Sequence, residues 1–406
     1  MDKNKFFTAV CACSLFLLSF SISADTQLGA YIKNDGWTVS EIDKFNSETT
    51  KPLALVTLFS TFDNNWDSLN IQASNIVSRG ATPVISWMPY RSGNGDVLAS
   101  ISSGVEDEYI NNWIAAYKSW RDSYPVKNRP EIMLRFGHEF NGNWYPWANN
   151  PEGLKTSWRH IHSLFDAAGI NHSVSWVWCI NNIDVDDIND ITRYYPGDDV
   201  VDWTAIDGYN WGSNYSFTSW KSFDEVFSSA YVKLQTHYPD KPIIIAEVGS
   251  AEPDDLPDAV WGQDGNDADA NKSKEVWVDD MLKRIKSSYP NIRAVSWFNI
   301  NKELSWALNE TAHSGLPNTG LDAYNTNVID DHYLSQYESF KQGDYSVPAS
   351  KDKKNKPLKL TGLQRALKVS RMPTVVGEKL LQGEAEGFRT LAPEALTNIV
   401  NSRLNN

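Results

Sequence analysis

Eight short apolar runs, separated by longer amphipathic segments, are the feature that most limits the folds open to this chain of 406 residues. The runs are rich in Ile, Val, Leu and Trp and alternate little, which is typical of strands buried on both faces. They cover Leu28–Ile32, Ala54–Ser60, Thr82–Met88, Glu131–Glu139, Val174–Ile180, Trp203–Tyr209, Ile243–Val248 and Ile292–Ile300. A parallel sheet with helical connections is therefore predicted.

The segments between the runs predict helices. Examples are Glu106–Ser123, Pro151–Ala168, Ser222–His237 and Lys272–Ser288, and Leu321–Phe340 would supply the last helix. Eight strand–helix repeats predict an α/β protein with a closed (β/α)8 TIM barrel. An open, doubly wound sheet ranks second, because no glycine-rich phosphate-binding turn follows an early run.

The first 24 residues are interpreted as a signal peptide. Lys3 and Lys5 precede an apolar run over residues 6–20, and small residues follow up to Ala24. The run is too short for a comfortable membrane span, and no other stretch approaches that length. We therefore expect a secreted or periplasmic protein with a catalytic domain over residues 25–345. Cys179 is the one cysteine expected in the mature chain, so no intrachain disulfide is predicted.

Residues 346–406 break the periodic pattern and are interpreted as a linker and a basic tail of unknown role. Residues 351–406 hold 11 basic and 5 acidic residues, whereas the whole chain has a net charge of −14. A poorly ordered tail is favoured over a docking or surface-attachment element. The acidic main domain makes nucleic acid an improbable partner. We expect a monomer, with a polysaccharide as its partner.

Two glutamates stand at the ends of apolar runs. Glu139 ends the fourth run and Glu247 falls within the end of the seventh, and in a barrel the carboxyl ends of all strands meet on one rim. Two carboxylates brought together in this way can supply the acid/base and the nucleophile for hydrolysis of a glycosidic bond. The structural alternative for each is a strand-end carboxylate without chemistry.

Aromatic residues surround these glutamates in the sequence. The chain has 17 tryptophans, more than core packing usually needs, and sugar rings stack on aromatic faces. Trp144 and Trp297 are the first candidates for such platforms, and Trp306 is another. Trp87, Trp147, Trp178 and Trp211 also lie at or after strand ends. For any one of them, core packing is an equal alternative.

Residues 134–147 (LRFGHEFNGNWYPW) resemble the acid/base segment of glycoside hydrolase family 26. Residues 245–250 (IAEVGS) resemble its nucleophile segment, and residues 194–212 (YYPGDDVVDWTAIDGYNWG) are similar to the region between them. The likeness covers about residues 28–340. That family contains endo-β-mannanases, mixed-linkage β-glucanases and some β-1,3-xylanases.

The resemblance implies that Glu139 is the acid/base and Glu247 the nucleophile of a retaining glycosidase, with carboxyl groups about 5–5.5 Å apart. It implies that Tyr209 hydrogen-bonds the nucleophile. It also matches His138 to a family position, where the imidazole would bond the nucleophile or substrate hydroxyls. No cofactor is implied.

Two polar residues close to Glu139 complete the predicted site. Arg135 is expected to pair with carboxylates as a positioning group, and a buried structural salt bridge is an alternative that stays open. Asn141 is a candidate substrate-binding residue. No metal is predicted, because the acidic loops 184–190 and 264–269 lack the ligand spacing of a calcium loop and no zinc-type cluster exists.

The substrate is predicted from one departure within the resemblance. Mannanases of the family tend to carry a Trp-Phe-Trp-Trp type segment after the acid/base, whereas this chain has Trp144-Tyr-Pro-Trp147 followed by Ala148. Mixed-linkage β-1,3-1,4-glucan is therefore ranked first, β-1,4-mannan second and β-1,3-xylan third. The rival classes are a carbohydrate-binding protein on an inactive barrel and an exopolysaccharide-processing hydrolase, whose tail would serve attachment.

Overall fold

The computed structural model describes residues 25–340, except residues 94, 186–189, 216–217, 254, 256–271, 314 and 316. The predicted signal peptide at residues 1–24, the basic tail after residue 345 and the acidic loop 264–269 lie outside the described residues. Within the described residues, no helix is both long and apolar enough to cross a membrane.

Eight parallel strands in the described part of the chain close into a barrel. They are β1 (Thr26–Ile32), β2 (Leu55–Thr61), β3 (Thr82–Met88), β4 (Ile132–Phe136), β5 (Val174–Asn181), β6 (Trp203–Asn210), β7 (Ile243–Ser250) and β8 (Ile292–Asn299). Each strand pairs with the next, and β8 pairs with β1 with Ala294 opposite Gln27. The predicted (β/α)8 barrel is confirmed, with the predicted strands in the predicted order.

The helices pack around the barrel. They are α1 (Val39–Glu48), α2 (Trp66–Val77), α3 (Leu98–Ser102), α4 (Asp107–Asp122), α5 (Pro151–Ala167), α6 (Phe223–His237), α7 (Lys274–Ser288) and α8 (Gly320–Val328). Local sequence sets their starts. The Asn150 side chain caps α5 through the Gly153 amide, and Ser222 and Glu225 form a capping box on α6.

The prediction that Leu321–Phe340 forms one helix is wrong in its second half. Helix α8 ends at Val328, and Tyr333–Leu334 form a short strand beside β1. The chain then crosses the amino-terminal mouth of the barrel, where Tyr337 bonds the Ser175 hydroxyl at 2.6 Å and Phe340 packs on Trp203. These tertiary contacts account for apolar residues that the sequence pattern assigned to a helix face.

Tryptophan mainly builds the core of this fold. Among the described residues, ten tryptophans have less than 2% of their surface exposed: Trp66, Trp87, Trp113, Trp147, Trp158, Trp176, Trp178, Trp203, Trp297 and Trp306. Many of them stack between the sheet and the helices, as Trp87 does on Trp113 with ring centroids 4.9 Å apart. The excess of tryptophan therefore reflects core packing more than an exposed binding surface.

The chain turns sharply after β4, and this turn places Glu139. Strand β4 ends at Phe136, three residues earlier than predicted, and Gly137 and Glu139 then adopt left-handed backbone angles, with φ of 57° and 53°. A Cβ atom on Gly137 would lie 2.7 Å from the Leu154 side chain, so glycine is required there. The left-handed conformation is strained for a glutamate, and such strain concentrates at functional sites.

Candidate active site

Glu139 and Glu247 are brought to the same carboxyl-terminal rim of the barrel. Glu247 is the fifth residue of β7, and Glu139 follows β4 with its amide donating to the Cys179 carbonyl at the end of β5. Only 7% of Glu139 and 4% of Glu247 is exposed. Burial raises the pKa of Glu139 most, and the charges of Asp207 and Glu247 raise it further.

Arg135 lies inside the barrel and binds two carboxylates. Its Nη2 donates to Glu247 Oε1 at 2.5 Å, and its Nη1 donates to Asp207 Oδ2 at 2.6 Å. The Ser86 hydroxyl accepts from both Nε and Nη2. The guanidinium is fully buried. Arg135 therefore fixes the position of Glu247 and keeps a positive charge beside it.

Asp207 is the second carboxylate on this arginine. It lies on β6 directly opposite Glu247 in the strand register and is fully buried. Cys179, on the neighbouring strand, is also fully buried, and burial raises the pKa of its thiol well above the ordinary value. Cys179 is therefore a neutral part of the barrel interior.

Tyr209 is the second donor to Glu247. Its hydroxyl donates to Oε2 at 2.6 Å, so the two oxygens of Glu247 are held by different residues. Burial, followed by the charge of Glu247, raises the pKa of Tyr209 well above its ordinary value. The phenol therefore keeps its proton and acts as a donor at neutral pH.

Glu139 accepts two hydrogen bonds, yet its surroundings favour the protonated form of its carboxyl group. Trp144 Nε1 donates to its Oε2 at 2.7 Å, and Asn181 Nδ2 donates to its Oε1 at 3.1 Å. Burial, followed by the charges of Asp207 and Glu247, raises the pKa of Glu139 to about 8, against the lowering effect of the two donors. At neutral pH this carboxyl group therefore carries a proton.

His138, which was predicted to bond the nucleophile or substrate hydroxyls, lies among aromatic side chains. Its side chain is fully buried, and Nε2 lies 3.0 Å from the Tyr145 hydroxyl. The ring also packs against Tyr145 and Trp147. Burial and the charge of Arg135 lower its pKa well below the ordinary value, so the imidazole is neutral.

Asn141 also turns away from the cleft. Its Nδ2 donates to the carbonyls of Asn181 and Ile183 and to Asp184 Oδ1, and its Oδ1 accepts from the Asn181 amide. Both ends of the amide are therefore used by the loop after β5. Asn141 instead fixes the loop that presents Asn181 to Glu139.

Trp297, which was predicted to be a sugar-stacking platform, is buried and faces a helix. Only 1% of this residue is exposed, its ring lies edge-on to Trp277 of α7, and its Nε1 donates to the Trp306 carbonyl. The alternation of side chains along β8 is the reason, since the next residue, Phe298, is the one that contacts Tyr209. Trp297 belongs to the layer between sheet and helices.

The two other predicted aromatic residues do lie beside the glutamates. Trp306 packs its ring on Tyr209 with centroids 5.0 Å apart, but it is only 1% exposed. Trp144 is 5% exposed and meets Glu139 through its Nε1. In this arrangement each supports a residue of the site more than it offers an open face. Trp211, which is partly exposed beside Trp306, offers more ring surface.

Asn181 and Asp207 were missed as site residues from the sequence. The sequence gives only a weak indication of each, because it is a polar residue inside or at the end of an apolar run that predicts a buried strand. That signal shows that a polar group needs a partner, but it does not name the partner. Among the described residues, no group of three or more His, Cys, Asp or Glu side chains could hold a metal ion.

The comparisons with known proteins point in one direction. The family model of glycosyl hydrolase family 26 matches residues 85–312, more than half of the chain. Endoglucanase H of Acetivibrio thermocellus is 33% identical over 310 residues, which are 73% of this chain and 30% of that protein. Beta-1,3-xylanase TXYA of Vibrio sp. is 26% identical over 160 residues, 37% of this chain and 31% of that protein.

The chain therefore spans less than a third of the length of these curated relatives. Among solved structures, the catalytic domain of the Bacillus sp. JAMB-750 GH26 endo-beta-1,4-mannanase superposes with a TM-score of 0.55. The alignment has 15% identity and covers 76% of this chain and 87% of that one. At this identity the likeness concerns the fold alone.

Proposed function

The chain belongs to glycosyl hydrolase family 26, and from that membership we propose that it is a secreted, endo-acting, retaining β-glycoside hydrolase. The observation that carries this proposal is the different environment of the two carboxyl groups. Glu139 is protonated, with a pKa raised to about 8, whereas Glu247 is held between the Arg135 guanidinium and the Tyr209 hydroxyl. A proton donor and an oriented carboxylate are what the first step of double displacement needs.

In the proposed mechanism Glu247 attacks the anomeric carbon while Glu139 gives its proton to the departing glycosidic oxygen. A covalent glycosyl–enzyme intermediate results, with Glu139 now ionised. Glu139 then takes a proton from water, which attacks the same carbon and releases Glu247. Two inversions give net retention. Arg135 and Tyr209 orient the nucleophile, and Trp144 and Asn181 orient the acid/base.

Mixed-linkage β-1,3-1,4-glucan is the proposed substrate. The relative named Endoglucanase H aligns over most of the described domain, which supports a glucan above a mannan. The segment from Trp144 to Trp147 departs from the mannanase pattern in the same direction. β-1,4-Mannan is the second candidate, and the two β-1,3-xylanases with 26% and 24% identity bring β-1,3-xylan into the same test.

The test is release of reducing sugar, with product sizing, from barley β-glucan, lichenan, galactomannan and β-1,3-xylan. Glu247→Ala is the inactive control, and Glu152→Ala, a substitution of an exposed glutamate on α5, is the matched surface control. Oligosaccharides from one polymer, absent with Glu247→Ala and unchanged with Glu152→Ala, are expected. No release from any of the four by folded protein would contradict the proposed substrates, and would leave a binding protein or an exopolysaccharide hydrolase.

Sodium azide separates the roles of the two glutamates. With an activated aryl β-glycoside, Glu247→Ala should be rescued by azide to give the α-glycosyl azide, because azide replaces the missing nucleophile directly. Glu139→Ala should give the β-glycosyl azide, because azide then attacks the covalent intermediate. The opposite stereochemistry would reverse the assignments.

A further inference from the structure

A buried lysine donates hydrogen bonds to the loop that follows β8. It lies outside the set of polar residues around the two glutamates. Lys274, the first residue of α7, has a fully buried side chain. Its ammonium group donates to the Ser305 carbonyl, to the Ala307 carbonyl at 3.1 Å and to Asn318 Oδ1 at 2.9 Å. The two carbonyls belong to the residues on either side of Trp306. We call this arrangement the lysine clamp.

The backbone of Trp306 is held from other directions too. Trp297 Nε1 donates to its carbonyl at 2.9 Å, and the Asp255 carboxylate accepts from the Ser305 amide. Burial lowers the pKa of Lys274 to about 8, and Glu252, 3.8 Å away, and Asp255 act against that lowering. A buried ammonium opposes folding unless all its donors are used, and here three acceptors satisfy it.

The clamped tryptophan touches the residue that holds Glu247. The centroids of the Trp306 and Tyr209 rings are 5.0 Å apart. Both rings pack closely on Gly249, because a Cβ atom on this residue would lie 3.0 Å from Tyr209 and 3.2 Å from Trp306. Tyr209 in turn donates to Glu247 at 2.6 Å. A shift of the Trp306 backbone is therefore passed through ring packing to the nucleophile.

We propose that Lys274 is a positioning residue for the reaction, which fixes Trp306 and thereby the Tyr209 hydroxyl that orients Glu247. The inference rests on the proposed function. Lys274→Met keeps the length and apolar volume of the side chain but removes its donors. It should lower kcat by roughly ten- to a hundredfold, with KM changed by less than about threefold, because small misplacements of a reacting group cost this much in rate.

Lys241 provides the matched control. It is also a buried lysine, 5% exposed, whose ammonium donates to two backbone carbonyls, those of Asp198 at 2.8 Å and Val201 at 2.6 Å. It precedes β7, at the opposite end of that strand from the rim. Lys241→Met should therefore destabilise the fold as Lys274→Met does, yet leave kcat unchanged in the folded protein.

A double-mutant cycle with Tyr209→Phe tests the route of the effect. If Lys274 acts through the Tyr209 hydroxyl, Lys274→Met should cost less than about threefold in kcat when Tyr209 is already Phe, because the interaction it supports is gone. Fully multiplied losses in the double variant would overturn the route. An unchanged kcat in folded Lys274→Met would overturn the proposal.

Fluorine NMR of protein labelled with 5-fluorotryptophan gives a readout that needs no activity. The resonances of Trp306 and Trp211, assigned by Trp→Phe variants, should move or broaden in Lys274→Met and stay in place in Lys241→Met. Unmoved resonances would show that the clamp does not hold Trp306 and would overturn the proposal. If the wild type hydrolyses no polymer, the proposed function fails, and the spectra still decide whether the clamp exists.

Discussion

Arg135 Nη2 donates to Glu247 Oε1 at 2.5 Å, and both side chains are withdrawn from solvent, with 0% and 5% exposed. The same guanidinium also pairs with the buried Asp207, so one positive charge serves two carboxylates. One guanidinium and two carboxylates leave the local net charge negative even before the charge of Glu139 is added. Burial raises the pKa of Glu139 most, and the charges of Asp207 and Glu247 raise it further because a third negative charge in the same buried site would be repelled, so Glu139 keeps its proton at neutral pH.

Replacement of Arg135 by Met should destabilise the protein strongly. It leaves Asp207 and Glu247 buried without their counter-charge, and loss of one partner of a buried ion pair typically costs about 3–5 kcal/mol. The free energy of unfolding from urea denaturation measures the effect. Arg79→Met is the control, because Arg79 pairs with Asp43 on the surface and should matter little. Equal, small losses in both would contradict the role assigned to Arg135.

Glu139→Gln should stabilise the protein above about pH 5. The pKa of Glu139 is raised from 4.5 to about 8, so folding is opposed progressively as pH rises between these values, when the unfolded chain loses this proton and the folded chain retains it. The gain should be absent near pH 4 and reach up to about 5 kcal/mol above pH 8, at about 1.4 kcal/mol per unit.

Urea denaturation over pH 4–9 measures this gain, with Glu152→Gln as the exposed control. That control should show the wild-type pH dependence, because the Glu152 side chain is 79% exposed. A gain in Glu139→Gln that does not depend on pH would show that the carboxyl group does not titrate in this range.

Trp144→Phe should move the alkaline limb of kcat/KM to higher pH. Trp144 Nε1 donates to Glu139 Oε2 and favours the ionised form, so its loss raises the pKa of the acid/base further. The rate falls as Glu139 loses its proton, and the limb therefore moves upward even if the maximal rate drops. Trp158→Phe is the control, since Trp158 Nε1 donates to the Val200 carbonyl in the helix layer. A limb displaced to lower pH would contradict the prediction.

Gly249→Ala should lower kcat about tenfold. The new methyl group would press on Tyr209 at 3.0 Å and on Trp306 at 3.2 Å, and would displace the hydroxyl that orients Glu247. Gly29→Ala is the matched control, because a Cβ there meets Leu55 at 3.0 Å in another strand of the barrel. Steady-state kinetics of both variants should show the loss of kcat in Gly249→Ala alone. Equal kinetics in the two would remove Gly249 from the support of Tyr209.

Some of the candidate site could be predicted because strand ends in a barrel share one rim. Glu139 and Glu247 each follow or end a buried run, so their rim position follows from the strand count alone. Arg135 stands inside a run that is otherwise buried, which predicts a charged partner. The partners themselves, Asp207 and Glu247, become known only from the register between β6 and β7.

The side chains of Asn141, His138 and Trp297, which were predicted to contact substrate, are buried in the structure for a common reason. Proximity in sequence to an important residue does not fix the direction of a side chain, and each of these side chains is turned by tertiary contacts. Next to the left-handed turn at Glu139, Asn141 contacts the loop after β5. His138 packs into the layer of aromatic side chains. The two-residue period of β8 directs Trp297 toward α7, whereas Phe298 faces Tyr209.

The sequence by itself determined the barrel, the order of its strands and the rim on which the two glutamates lie. Buried parallel strands and their helices have periods and lengths that are visible locally, and the closed barrel then follows from their number. Tertiary structure alone decided which polar groups meet. The raised pKa of Glu139, the fixed loop around Trp306 and the guanidinium shared by two carboxylates all depend on distances of a few ångströms. These distances join residues that are far apart in the chain, such as Arg135 and Glu247.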